Sequence, residues 1–151
     1  MTVVTDPFAA APQLMKQWMG LSLAAQDSLE KSLIELVKLR ASIVNGCANC
    51  INMHSIEARA AGETEQRLHL LAAWQEAPVY TPRERAALAW TDALTRLSAG
   101  HTQQAAKEGL EAHFTAEEQV KLTLMINVIN GWNRLAVGFD LWYDMPATKA
   151  A

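Results

Sequence analysis

Cysteine is scarce in this 151-residue chain, which contains two. Two cysteines cannot supply the several bridges that small secreted scaffolds depend on, so a hydrophobic core has to hold the fold. Positive charge is scarce as well. Thirteen Lys and Arg stand against sixteen Asp and Glu, a net charge of −3, which leaves no electrostatic footprint for nucleic acid or an anionic membrane surface. There is no long unbroken apolar run. The most apolar stretch, Val120 to Trp142, is interrupted by Lys121, Asn127, Asn130, Asn133, Arg134 and Asp140. These side chains are costly inside hydrocarbon, so the stretch reads as a buried protein helix and no membrane partner is expected. The amino terminus, Met1 to Pro7, shows neither a basic segment nor the apolar run of a secretory signal, which points to the cytoplasm. Seven glycines and five prolines are spread singly with no repeat or low-complexity tract, so one domain over residues 1–151 is expected.

Half of the residues are hydrophobic, and their spacing is helical throughout. Phe8, Leu14, Met15, Trp18 and Met19 mark a short helix over 8–20. Asp27 followed by Glu30 reads as a helix cap with its partner, leading into an apolar face of Leu29, Leu33, Leu36, Val37, Ala41 and Val44 that Asn45-Gly46 ends. A second helix runs from about Ala48 to Ala61 and stops at Gly62; Thr64 caps a third to about Glu76, before Pro78. Thr81-Pro82-Arg83-Glu84 and Thr115-Ala116-Glu117-Glu118 are capping boxes, opening helices to about Ser98 and through Ile129. No strand pattern is present, so the fold class is all-α. The five tryptophans lie within apolar patterns and read as core or subunit contacts. Asn130 and Asn133-Arg134 stand in the most apolar helix, where burial demands hydrogen-bond partners.

The chemistry centres on Cys47-Ala48-Asn49-Cys50. Three positions apart on a first helical turn, the sulfurs share one face and can reach disulfide geometry. The helix N-terminus favours thiolate over thiol. His54 follows Cys50 by four residues, so its imidazole lies one turn further along that face and can take or relay the thiol proton. If the preceding helix folds back as a hairpin, Glu35 approaches this helix, where a carboxylate can orient His54 or accept a proton. Two cysteines and a histidine also suit zinc, with His69, His101 or His113 as a fourth ligand, although structural zinc sites usually show two ligand pairs.

Glu35, then Cys47-Ala48-Asn49-Cys50, then His54 resembles the signature of the AhpD-like alkylhydroperoxidases in the carboxymuconolactone decarboxylase superfamily. The resemblance extends through residues 81–90 and 127–135, so it spans roughly residues 30–140. It implies an AhpD-like helical domain and a peroxiredoxin-type alkyl hydroperoxide reductase. Cys50 would attack the peroxide and Cys47 would resolve the sulfenic acid as a redox-active disulfide. Glu35 and His54 would form the proton relay. The partners implied are a small hydroperoxide, a thiol reductant and further copies of the chain in a trimer or hexamer; no metal or organic cofactor is implied. The best-known members carry His immediately before the second cysteine, whereas this chain has Asn49, which implies a shorter relay. Two other readings are carboxymuconolactone decarboxylase chemistry, against which the cysteine pair argues, and a non-catalytic redox-sensing or thiol-exchange module.

Overall fold

The computed structural model describes residues 4–99 and 103–144, and every regular element among them is helical. In chain order these are α1 (Pro7–Ala10), α2 (Pro12–Gln26), α3 (Lys31–Asn45), α4 (Ala48–Ala60), α5 (Glu65–Leu70), α6 (Pro82–Thr95), α7 (Gln103–His113) and α8 (Ala116–Gly138). Short 3-10 turns follow α5 at Leu71–Ala73 and α6 at Leu97–Ala99.

Helix α3 is the axis of the molecule. Every residue from Leu33 to Ser42 is buried, because α4, α6 and α8 pack around it on different sides. A helix enclosed in this way is expected to be apolar all round, yet α3 also buries Glu35, Lys38, Arg40 and Ser42. The largest apolar cluster joins Ile34, Val37 and Ala41 of α3 to Leu122, Ile126 and Ile129 of α8. A second joins Leu36 and Leu39 to Leu71, Trp74, Tyr80 and Leu88 on another side.

Local signals explain most helix ends. Gly46 takes the left-handed conformation, with φ +66°, that closes α3. Thr81 and Thr115 form complete capping boxes with Glu84 and Glu118. Tertiary contacts shift other ends. Asp27 ends α2 instead of starting α3. The side chain of Glu30 does not fold back as a capping partner, because Arg83 donates to it from Nε at 2.8 Å. The first helical segment also reaches Gln26, six residues beyond the expected limit, in two pieces divided at Pro12. The expected helix from Thr64 to Glu76 is cut short at Leu70. Beyond it, carbonyls turn outward to guanidinium donors: Arg40 reaches those of Leu71 and Ala72, and Arg85 those of Trp74, Gln75 and Ala77. Helix α7 has no counterpart in the sequence reading. Position 131 is glycine for a steric reason, since a Cβ there would lie 2.5 Å from the Trp18 ring. Asn130 and Asn133 are buried with partners, both accepting from the Asn45 amide at 3.0 and 2.8 Å, whereas Arg134 is exposed. No helix among the described residues is long and apolar enough to cross a membrane.

Candidate active site

Helices α3 and α4 form a tight hairpin. Cys47 is the N-cap of α4 and Cys50 lies in its first turn. The two are joined as a disulfide with Cα atoms 5.3 Å apart, so the structure is that of the oxidised form. The backbone N–H of Cys50 points at Cys47 Sγ, 3.3 Å away, the kind of contact that stabilises a thiolate once the bond is opened. Both residues are almost fully covered, at 1% and 4% exposure.

What distinguishes them is access. Cys50, but not Cys47, lines a cavity of about 570 Å³ whose walls are mostly apolar, with Met19, Met53, Met125, Ile129 and Trp132 among them. His54 lines the same cavity, as do Lys38 and Glu57. Leu141 packs against the two cysteines and Ala136. The segment to which Leu141 belongs is pinned by Asn49, whose Oδ1 accepts a hydrogen bond from the Tyr143 backbone N–H at 2.8 Å. Asn49 is therefore a buried tether in the structure. Its signal was absent from the sequence, because its partner lies ninety-four residues away.

At one wall of the cavity the polar groups converge. His54 Nδ1 lies 2.8 Å from Glu57 Oε2. Lys38, with a side chain 3% exposed, directs its ammonium at three acceptors: Glu57 Oε2 at 3.0 Å, Glu35 Oε1 at 3.1 Å and Gln26 Oε1 at 3.2 Å. Burial pushes the Glu57 carboxyl upward from its usual 4.5, but the His54 hydrogen bond and the Lys38 charge outweigh this and hold it at about 2. Glu35 keeps its second oxygen, Oε2, buried with no hydrogen-bond partner among the described residues.

The sequence-derived site residues thus lie together: Cys47, Cys50 and His54 along α4, and Glu35 opposite on α3. Glu35, His54 and Glu57 each offer an atom within 4.8 Å of the other two. That triad has the composition of a metal site, but the Lys38 ammonium already sits against both carboxylates and supplies the compensating positive charge. The direct partner of His54 is Glu57, not Glu35. Sequence reasoning missed Glu57 and Lys38, although each follows its neighbour at the same i, i+3 spacing: Glu35 to Lys38 and His54 to Glu57. Of the other histidines considered as ligands, His69 is exposed on α5 beside Glu65, His113 is exposed at the end of α7, and His101 lies outside the described residues.

The chain is all-helical among the described residues, with a cysteine pair at a helix start on the same hairpin as a histidine and a buried carboxylate. The carboxymuconolactone decarboxylase family model matches residues 12–93, and the chain belongs to that family. The uncharacterized protein YdfG of Bacillus subtilis (strain 168) is 39% identical over 131 residues, 86% of this chain and 89% of its own length. The crystal structure of ATU0492 from Agrobacterium tumefaciens is described as a protein of unknown function and a candidate antioxidant defence protein AhpD. It matches with a TM-score of 0.90 at 44% identity, covering 96% of this chain and 100% of that one. The debrominase Bmp8, solved with 2,3,4-tribromopyrrole, shares the fold with a TM-score of 0.78 at 20% identity, over 88% of this chain and 72% of its own.

Proposed function

We propose that this protein is a thiol-dependent peroxidase that reduces organic hydroperoxides through a dithiol–disulfide cycle at Cys47 and Cys50. The observation that carries the reading is the asymmetry of access: Cys50 shares the apolar cavity with His54, while Cys47 is enclosed behind it as the helix cap. In the reduced protein the Cys50 thiolate attacks the terminal oxygen of ROOH. The O–O bond breaks, His54 gives a proton to the departing alkoxide, and ROH leaves a sulfenic acid on Cys50. Cys47 then attacks that sulfur and displaces water, closing the disulfide. An external thiol pair supplies the two electrons that restore the dithiol. Glu35, close to His54 and with a free oxygen, is the reservoir for the proton. Recycling by thiols fits a reducing compartment such as the cytoplasm. A homo-oligomer is part of the proposal, supported by Val137, Phe139, Trp142 and Tyr143, large apolar side chains exposed at the end of α8 and in the segment after it.

The apolar lining supports a second substrate for the same two electrons, a halogenated ring of the kind bound by Bmp8: the ring carbon takes a proton, halide is released, and the two thiols close to the disulfide. Single-turnover assays on the reduced protein separate the possibilities. Wild-type protein should consume one equivalent of cumene hydroperoxide and lose two protons in intact mass; Cys50→Ser should consume none. Undiminished consumption by Cys50→Ser would overturn the assignment, and loss of bromide from a bromopyrrole without peroxide turnover would replace it. Sustained turnover with a thiol donor separates an enzyme from a redox sensor, which is oxidised once per event.

A further inference from the structure

The side chain in direct contact with the His54 ring is Glu57, which no part of the Glu35, Cys-x-x-Cys, His54 pattern includes. We infer that Glu57, anchored by Lys38, is a positioning residue that fixes the tautomer of His54, so that Nε2 is the nitrogen which exchanges protons with Cys50 and its substrate. The inference rests on the dithiol reading above for its consequence, but not for its geometry.

A neutral imidazole carries one N–H and one lone pair, and the partner of one nitrogen decides which is which. Glu57 is held ionised, and an ionised carboxylate only accepts. Its Oε2 at 2.8 Å from Nδ1 therefore requires the proton to be on Nδ1. Nε2 is left with its lone pair and makes no hydrogen bond among the described residues. Cys50 lies four residues earlier on the same helix, and both side chains line the cavity.

Lys38 makes the arrangement rigid. Its ammonium bonds the same Glu57 oxygen at 3.0 Å, and its other two contacts tie it to Glu35 on its own helix and Gln26 on α2. Two hydrogen bonds and the ion pair to Glu35 hold the ammonium in place, so the carboxylate cannot swing away from His54 without breaking its contact with a buried cation. Without Glu57, the imidazole would keep neither its orientation nor its preferred tautomer, and Nε2 would carry the proton for part of the time. A protonated, neutral Nε2 cannot take the thiol proton.

Long-range proton–nitrogen spectra of the reduced, nitrogen-15-labelled protein read the tautomer directly, with His54 assigned from a His54→Gln variant. In wild-type protein above the imidazole titration, His54 should show Nδ1 protonated and Nε2 bare. Glu57→Met removes the acceptor at a position 37% exposed, where the fold tolerates the change. It should move His54 towards the Nε2–H form and slow single-turnover peroxide consumption by roughly 10²-fold, while Glu57→Asp should recover part of both. A wild-type His54 protonated on Nε2 would overturn the inference, and so would a Glu57→Met enzyme with the correct tautomer shift and an unchanged rate. If the tautomer behaves as stated but neither protein consumes peroxide, the assignment of Glu57 stands and the peroxidase reading falls.

Discussion

Helix α3 anchors two ionic networks on different sides through its buried Arg40 and Lys38, and they are built to opposite rules. On one side Arg40 meets Asp92 in a bidentate pair, Nε to Oδ1 at 2.6 Å and Nη2 to Oδ2 at 2.8 Å. Trp74 and Gln75 add donors to Oδ2, and the remaining Arg40 nitrogen bonds two backbone carbonyls. Every strong donor and acceptor has a partner. On the other side, Glu35, Lys38, Glu57 and His54 leave a buried carboxylate oxygen and an imidazole nitrogen without a hydrogen-bond partner among the described residues, beside a cavity. A complete network holds structure together, because removing a member strands the others. An incomplete one keeps proton-accepting capacity in reserve, at a cost in stability that natural proteins accept at reactive sites.

The strongest test of this contrast is Arg40→Ala. It leaves Asp92 charged, largely covered and short of two donors, and frees the Leu71 and Ala72 carbonyls. The expected loss is about 3–5 kcal/mol, a large part of the stability of a domain this size, read as a fall in denaturant midpoint. Peroxide consumption per folded molecule at low temperature should stay near wild type. A parallel loss of rate per folded molecule would show that the two sides of α3 are not separable.

The incomplete network has its own signature in acid. Glu57 has a folded pKa of about 2 against an ordinary 4.5. A depressed carboxyl pKa means that its stabilising contribution is fully present above pH 4.5 and is lost as pH falls through about 2. Because the side chain is 37% exposed, screening by water reduces the contribution to about 1 kcal/mol. Acid unfolding curves of wild type and Glu57→Gln should therefore differ at pH 6 and converge towards pH 2. Parallel curves across that interval would remove Glu57 from the ionic network.

The two networks also differed in how far they could be read beforehand. The cysteines and His54 follow one another at short, chemically meaningful spacings, so periodicity places them on one helix face, and Glu35 joins them once the Asn45-Gly46 stop folds α3 back on α4. Thr81 and Thr115 were legible for the same reason, since a capping box is decided within four residues. Arg40 and Asp92 are fifty-two residues apart, and nothing local to either marks the pair. The same limit explains Glu30, whose apparent capping role gives way to Arg83, fifty-three residues on. It also explains α5, which ends where distant arginines capture its following carbonyls. Lys38 and Glu57 are a different case: their spacing was visible, but only the packing of α3 on α4 makes two unremarkable i, i+3 pairs into one cluster.

The smallest expected effect concerns Asn49, where sequence comparison had suggested a missing proton carrier and the structure shows a tether. Asn49→Ala removes the acceptor for the Tyr143 N–H, but Tyr143 is exposed and water can replace the lost partner. The cost in stability should be only about 0.5–1 kcal/mol. The kinetic consequence is more telling, because Leu141, two residues before Tyr143, covers the disulfide. With the tether gone the segment lifts more often, and dithiothreitol should reduce the Cys47–Cys50 bond several-fold faster, measured by quenched alkylation and intact mass. Asn49→His tests the alternative in the same assay. If a histidine there acted as an added proton carrier, it would raise the single-turnover peroxide rate without changing the reduction rate; if the position is a tether, the reduction rate rises as it does for alanine. An unchanged reduction rate in both variants would separate the covering segment from the reactivity of the pair.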